Sequence, residues 1–402
     1  MMTAIDFSNP AFKSNPYPAY SELREQQPLF RTIGADGMPV WFITRYDDVM
    51  AVLKDPRFVK DYRSAMTPEQ QAHIPPVSPA FQTLNESLLD LDPPDHTRLR
   101  TLVSQAFTPR TVEQLRPRIQ AIADTLLDAV QERHEMDLID AYAFPLPIMV
   151  ITEMLGIPYA DRDTFRRWSN TIVQGESFMQ ASAEEEATAE EFVAYLRKLI
   201  AEQRARPQDD LVSGLVQAED GGDTLSEDEL IAMIFLLLVA GHETTVNLIG
   251  NGVLALLQHP DQLALLKRDP TLIILAVEEF LRYDGPVETS TSRFAREDVA
   301  IGDQVIPRGE MVLVVLGSAN RDETQFTQPD DLDITRERNR HLAFGHGIHY
   351  CLGAPLARIE GQIAINTLLR RMPDLRLAIA PEQLVWRPGM LIRGPVALPV
   401  AW

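Results

Sequence analysis

Apolar residues recur at helical spacing from Asp95 to about residue 258, broken by turn signals at Gly156-Ile157-Pro158, Arg206-Pro207 and Gly221-Gly222. The densest apolar run, Leu230 to Gly241, is 12 residues long and ends at His242 and Glu243. A bilayer span needs about 20 apolar residues, so the run predicts a buried helix. Ser226, followed by Asp228 and Glu229, marks the start of that helix. Its pattern carries on to about Gln258, which predicts a rod of ~50 Å at ~1.5 Å per residue.

Elsewhere the period shortens. Leu29-Phe30-Arg31-Thr32-Ile33 and Val40-Trp41-Phe42-Ile43-Thr44 flank Gly34-Ala35-Asp36-Gly37 and predict a hairpin, with a short helix near Asp47 to Leu53 behind it. Residues 60–94 show little periodicity and six prolines, and a loop of that length predicts a mobile or functional segment, a substrate lid. Helices are expected over about 260–283 and 354–371. Alternation from Val299 to Leu316, around Pro307-Arg308-Gly309, and short apolar pieces from Leu384 to Trp402 predict strands. The fold class is therefore mainly α with small antiparallel β-sheets, β-rich near 29–44, 287–316 and 384–402. No Gly/Ser-rich linker or internal repeat divides the 402 residues, and one domain over 1–402 is expected.

Charge narrows the class of partner. The chain carries 37 basic and 58 acidic residues, a formal net charge of −21, which argues against nucleic acid and anionic membrane surfaces. The first 20 residues hold no basic stretch followed by an apolar run, so the expected location is the cytoplasm. The run Glu184-Glu185-Glu186 reads as a solvated helix face. Against this background Arg336, Arg338, Arg340, His341 and Arg358 form a basic cluster that could dock an acidic partner.

Cys351 is the only cysteine, so it forms no intrachain disulfide. It follows Gly345 and Gly347 and precedes Gly353 and Pro355, which suit a tight turn and the first turn of a helix. A sulfur near a helix N-terminus favours the thiolate, a ligand for a soft or redox-active metal. With no second cysteine, a prosthetic group that brings its own remaining ligands fits better than zinc or an iron–sulfur cluster, and haem is the natural choice. A small buried hydrophobe is the alternative for a lone cysteine. In the long helix Ala240 and Gly241 leave one turn almost without side chains, and Glu243 beside Thr244 is a carboxylate–hydroxyl pairing able to relay protons. His242 has no histidine partner four residues away and reads as a satisfied core histidine.

Phe344, Gly345, Gly347, His349, Cys351 and Gly353 match the F-G-x-G-x-H-x-C-x-G signature of the cytochrome P-450 family of haem-thiolate monooxygenases. Ala240-Gly241-His242-Glu243-Thr244-Thr245, Glu279-x-x-Arg282 and His96-x-x-x-Arg100 resemble three further markers of that family in the expected order, spreading the likeness over the whole chain. The nearest subgroup is the bacterial type that tailors macrolides and other polyketides in secondary metabolism. The resemblance implies the P-450 fold, with haem b (iron protoporphyrin IX) between the long helix and the cysteine-loop helix, and Cys351 as axial iron ligand. Ala240, Gly241 and Thr244 would lie against the macrocycle, with Phe344, Gly345 and Gly353 shaping the loop. Cations at His96, Arg100 and Arg293, with His349, would hold the propionates, while Glu279 and Arg282 would form a buried pair bracing the loop. Glu113/Arg116 and Glu337/Arg340 share that spacing but lie elsewhere relative to Cys351.

It further implies a monomeric enzyme that inserts one oxygen atom from O2 into an apolar or lipid-like small molecule. Electrons would come from NAD(P)H through ferredoxin and ferredoxin reductase. Leu236, Val239, Ala240, Val287, Thr289, Leu391 and Ile392, with the 60–94 loop and a region around 170–185, would line the substrate pocket. A peroxide-driven peroxygenase and a non-catalytic haem or lipid-binding protein are the alternatives.

Overall fold

The computed structural model describes residues 9–34, 37–72, 77–161, 164–165, 167–168, 171 and 182–402. The chain divides into two compact units, one of Met1–Phe58, Arg116–Leu146 and Thr244–Trp402, the other of Val59–Leu115 and Pro147–Glu243. Helices dominate both.

The first unit holds the sheets. Strands Leu29–Ile33 and Pro39–Ile43 pair antiparallel with Leu29 opposite Ile43, as the alternation predicts. Met311–Val314 then joins the hairpin in parallel, Val312 opposite Trp41, and Arg293–Ala295 adds an antiparallel strand beyond it, with Phe58 at the far edge. The parallel pairing departs from the all-antiparallel expectation, because the two strands are far apart in sequence and no hairpin turn dictates their direction. Trp41, Ile43, Val312 and Val314 bury one face of this sheet against Val49 and Val52 of the helix Tyr46–Lys54. A second sheet orders Arg376–Leu377, Pro399–Ala401 and Glu135–Asp137, and Val299–Ile301 pairs with Gln304–Ile306 as a separate hairpin.

The helices expected over about 260–283 are Pro260–Arg268 and Ile273–Asp284, with a short 3-10 turn at Pro270–Leu272 between them. Pro270 has no N–H to give, and the Asp269 carboxylate caps the N–H of Thr271, so the ladder restarts there. Helix Ala354–Arg371 begins directly after the cysteine loop and packs on Ile273–Asp284 and on Arg116–Asp128.

In the second unit, described residues of the 60–94 segment are not plain loop but short helices, Tyr62–Ala65, Pro68–Gln71 and Pro79–Leu84. Each spans about one turn, too short for an apolar period to register, and each is started by local chemistry. Asp61 accepts from Arg63 N–H, and Thr67 and Gln70 form a reciprocal capping box. Residues 73–76 lie outside the described residues. Glu184, Glu185 and Glu186 do more than face water. They occupy the first turn of helix Ala183–Ala205, where Ser182 and Glu185 cap each other and acidic charge offsets the helix dipole.

The long helix runs Glu227–Gln258, started by Ser226 and Glu229 bonding reciprocally, and the division between the units falls between Glu243 and Thr244. By length and composition this helix could cross a bilayer, more than its 12-residue apolar run suggests. Over half of its most apolar window (56 %) is buried in the fold, the mark of a core helix.

Candidate active site

The cysteine loop is held by its own backbone. The Cys351 N–H donates to Phe344 O at 2.9 Å, Gly345 N–H to Leu342 O at 2.8 Å and Tyr350 N–H to Gly347 O at 3.1 Å. Gly347 has φ +76°, and a Cβ there would lie 2.7 Å from the carbonyl oxygen of Leu53, so this turn rests on the end of helix Tyr46–Lys54 where only glycine fits. The backbone thus presents Cys351 at an exposed position, two residues before Gly353, the N-cap of Ala354–Arg371. No side chain caps that helix, whose second residue is Pro355. Among the described residues no three His, Cys, Asp or Glu side chains converge to hold a metal. A metal bound at Cys351 must bring its other ligands, as iron in a macrocycle does, so the donor set fits haem.

Behind the loop stands a buried ionic cluster. Arg282 grips Glu279 with two bonds, Nε to Oε2 at 2.8 Å and Nη2 to Oε1 at 2.7 Å, with both side chains wholly buried. Its other donors reach the carbonyls of Asn320 (3.1 Å), Pro329 (2.6 Å) and Asp331 (2.9 Å). Glu279 also accepts from Asp333 N–H (2.9 Å), Arg336 Nε (3.1 Å) and Asn339 Nδ2 (3.0 Å). The pair therefore pins residues 320–339, the segment leading into the cysteine loop.

Next to it Glu278 accepts from Arg358 at 2.6 and 2.8 Å and from His341 Nε2 at 3.0 Å, and Arg358 also covers the Phe344 ring at 4.5 Å. Burial would raise the Glu278 pKa, but the bonds and charge of Arg358 and His341 overcome it and lower it to about 2. Three members of the expected docking cluster, Arg336, His341 and Arg358, are thus engaged inside the fold. Arg338 and Arg340 remain exposed. Arg336 and Asn339 lie far along the chain from Glu279 with no spacing rule to connect them, so sequence alone leaves them unassigned.

On the long helix Leu236, Val239, Ala240, Glu243 and Thr244 are incompletely buried, while Leu237, Leu238, His242 and Thr245 are buried. These positions are three, four, seven and eight residues from Leu236 and form one stripe, with Phe235 and Gly241, also incompletely buried, beside it. His242 is the satisfied core histidine expected, its Nδ1–H donating to Leu238 O at 2.7 Å. Gly241 is itself incompletely buried, and a Cβ there would meet the Ile151 side chain at 3.6 Å, ordinary contact. Val239 also borders a small apolar cavity with Ile148, Phe165, Phe192, Phe235 and Leu238.

His96 is buried on helix Asp95–Ala106, with Arg100 one turn on. Burial, then the charge of Arg100, lowers the His96 pKa. Arg98, on another face, reaches Asp223 at 3.3 Å and Glu229. In the other unit Arg293 is buried on its strand, with Nη1 3.5 Å from Phe58 O, and His349 ends the turn Gly347–His349. Four expected pocket residues are brought together there. Val287 bridges Ile392, Glu288 N–H donates to Leu391 O at 2.9 Å, and Thr289 Oγ1 to Met390 O at 3.1 Å, a short ladder. Of the 170–185 region, residues 170 and 172–181 lie outside the described residues.

Residues 163–269 and 271–375 match the Cytochrome P450 family profile. The chain belongs to the cytochrome P450 family. It is 52 % identical to Cytochrome P450 107B1 of Saccharopolyspora erythraea over 97 % of this chain and 96 % of that one. It is 42 % identical to the 6-deoxyerythronolide B hydroxylase of the same organism, covering 100 % and 99 %. A solved structure of the Bacillus subtilis bacillaene polyketide synthase cytochrome P450 PksS superposes at TM-score 0.92 with 45 % identity, over 99 % of both chains. The protein is thus a P450 monooxygenase with relatives in polyketide tailoring, and the cofactor of its family is haem iron.

Proposed function

We propose that this P450 hydroxylates or epoxidises an apolar, lipid-like small molecule of the macrolactone or polyketide kind. Haem b, bound through Cys351, supplies the activation of O2, and thiolate ligation favours O–O cleavage. The observation that carries the reading is the cysteine loop: one exposed sulfur, fixed by the Cys351–Phe344 backbone bond and the Gly347 turn, ahead of a helix whose first N–H groups have no side-chain cap.

Glu243 and Thr244 hold and pass protons, the Thr244 hydroxyl as donor and the Glu243 carboxyl as its relay to solvent, since both lie on the open stripe of the long helix. His96 and Arg100 on one helix, with Arg293 and His349, would bind the propionates. Phe344, Gly345 and Gly353 shape the loop, while Ala240, Gly241 and Thr244 would lie against the macrocycle. Leu236, Val239, Val287, Leu391 and Ile392 make the substrate surface, with Thr289 the one hydroxyl among them, which suits a molecule that is mostly hydrocarbon. Electrons reach the site from NAD(P)H through a ferredoxin reductase and a ferredoxin. The chain works as a monomer in the cytoplasm.

The test is the absorption of the reduced, haem-loaded protein under carbon monoxide. Thiolate ligation at Cys351 gives the strongly red-shifted Soret band of a P450, and Cys351→Ser loses it. An imidazole-type spectrum in the unsubstituted protein overturns the assignment.

A further inference from the structure

The short ladder that carries Val287 and Ile392 is gripped from behind by the N-terminal segment. Its strands are joined by Glu288 N–H to Leu391 O and by Arg393 N–H to Pro286 O, both at 2.9 Å, around the Val287–Ile392 bridge. A ladder this short does little to fix its own register, and a slip of one residue would turn each side chain to the other face. Neighbours along a strand point to opposite faces, so Glu288 points away from the face that Val287 shares with Ile392. The burial agrees: Val287 and Ile392 are incompletely buried, whereas Glu288 and Arg393 are buried.

Behind the ladder each strand has its own anchor. Glu288 pairs through Oε2 with Lys13 of helix Pro10–Ser14 and accepts through Oε1 from the Tyr20 hydroxyl at 2.5 Å. On the facing strand Arg393 donates from Nη1 to the backbone carbonyl of Lys13 and from Nε to Asp284, both at 2.6 Å. Lys13 therefore meets one strand with its ammonium group and the other with its carbonyl. Lys13 is only 3 % exposed and Glu288 1 %. A buried ion pair is weak evidence of stabilisation, because well-packed apolar side chains in its place are often as stable, and its best-attested use is to fix a register. Here a slip of one residue would carry Glu288 off Lys13 or Arg393 off Asp284 and leave a buried charge unpaired.

We propose that Lys13 is a positioning residue that locks the register of this ladder and so sets which side chains face the substrate. This rests on the ladder being substrate surface, as proposed above. The test uses full-length, haem-loaded protein carrying Lys13→Met, with imidazole and N-dodecylimidazole as probes. Both offer the iron the same nitrogen, and only the second has a chain that touches the pocket wall. The Kd for N-dodecylimidazole, read from the Soret shift, is expected to rise about fivefold while that for imidazole stays as in the parent. Hydrogen exchange followed by mass spectrometry should be faster in the peptides covering 284–294 and 386–395, a reading that does not depend on what ligates the iron. Parent-like exchange in both peptides overturns the proposal, and so does faster exchange with the two probes weakened alike or not at all. Should imidazole fail to shift the spectrum of the parent, the haem reading falls instead, and the exchange rates decide the register lock alone. If Lys13→Met does not fold, Tyr20→Phe, which removes one bond to Glu288 and keeps every charge, is judged by the same readings.

Discussion

Arg282 commits its guanidinium to one carboxylate and three backbone carbonyls, and Glu279 in turn serves four donors besides or including it, Arg282, Asp333 N–H, Arg336 and Asn339. With both side chains wholly buried, removing the carboxylate charge strands two guanidinium groups. Glu279→Gln is expected to cost about 3–5 kcal/mol in a denaturant titration and to lower the haem-to-protein ratio. A melt unchanged within error would show that the cluster does not brace the loop. The Glu279/Arg282 half of this cluster is legible in sequence because residues three apart share a helix face. Arg336 and Asn339 are not, since tertiary folding alone brings them near.

Between elements, Glu278 links helix Ile273–Asp284 to the start of helix Ala354–Arg371 through Arg358 and to the loop through His341. Its folded pKa of about 2 lies below the ordinary 4.5. The stabilisation is therefore full above about pH 4.5 and is lost as the pH falls towards 2. With the side chain 23 % exposed, it amounts to about 2–3 kcal/mol. Glu278→Gln should lower the melting temperature at pH 7 and flatten its decline between pH 5 and about 3, where circular dichroism can follow both. An acid limb as steep as in the parent would assign it to other carboxylates. At this scale the long helix, the first hairpin and its register follow from periods of 3.6 and 2. The short helices of the 60–94 segment do not, because capping boxes act over three or four residues.

For the whole molecule, a net charge of −21 would repel the proposed donor if that is acidic, so a docking face for it would need local basic charge. Sequence places five basic groups near Cys351, and the fold withdraws three of them into ion pairs with Glu278 and Glu279. Charge reversal at Arg358 therefore tests folding and haem retention more than docking. Arg338 and Arg340 are exposed, and the Arg340 backbone is anchored by the Tyr46 hydroxyl at 2.8 Å, so their charges sit on a fixed segment close in sequence to the loop. Arg338→Glu with Arg340→Glu should leave haem content intact and slow reduction by a ferredoxin roughly tenfold at low ionic strength. The difference should shrink as salt shortens the screening length to about 3 Å near 1 M. Stopped-flow reduction across a salt series reads both effects. Equal rates for parent and variant at every ionic strength would move the docking face away from this segment, while a deficit that persists in high salt would make it a packing effect instead of an electrostatic one.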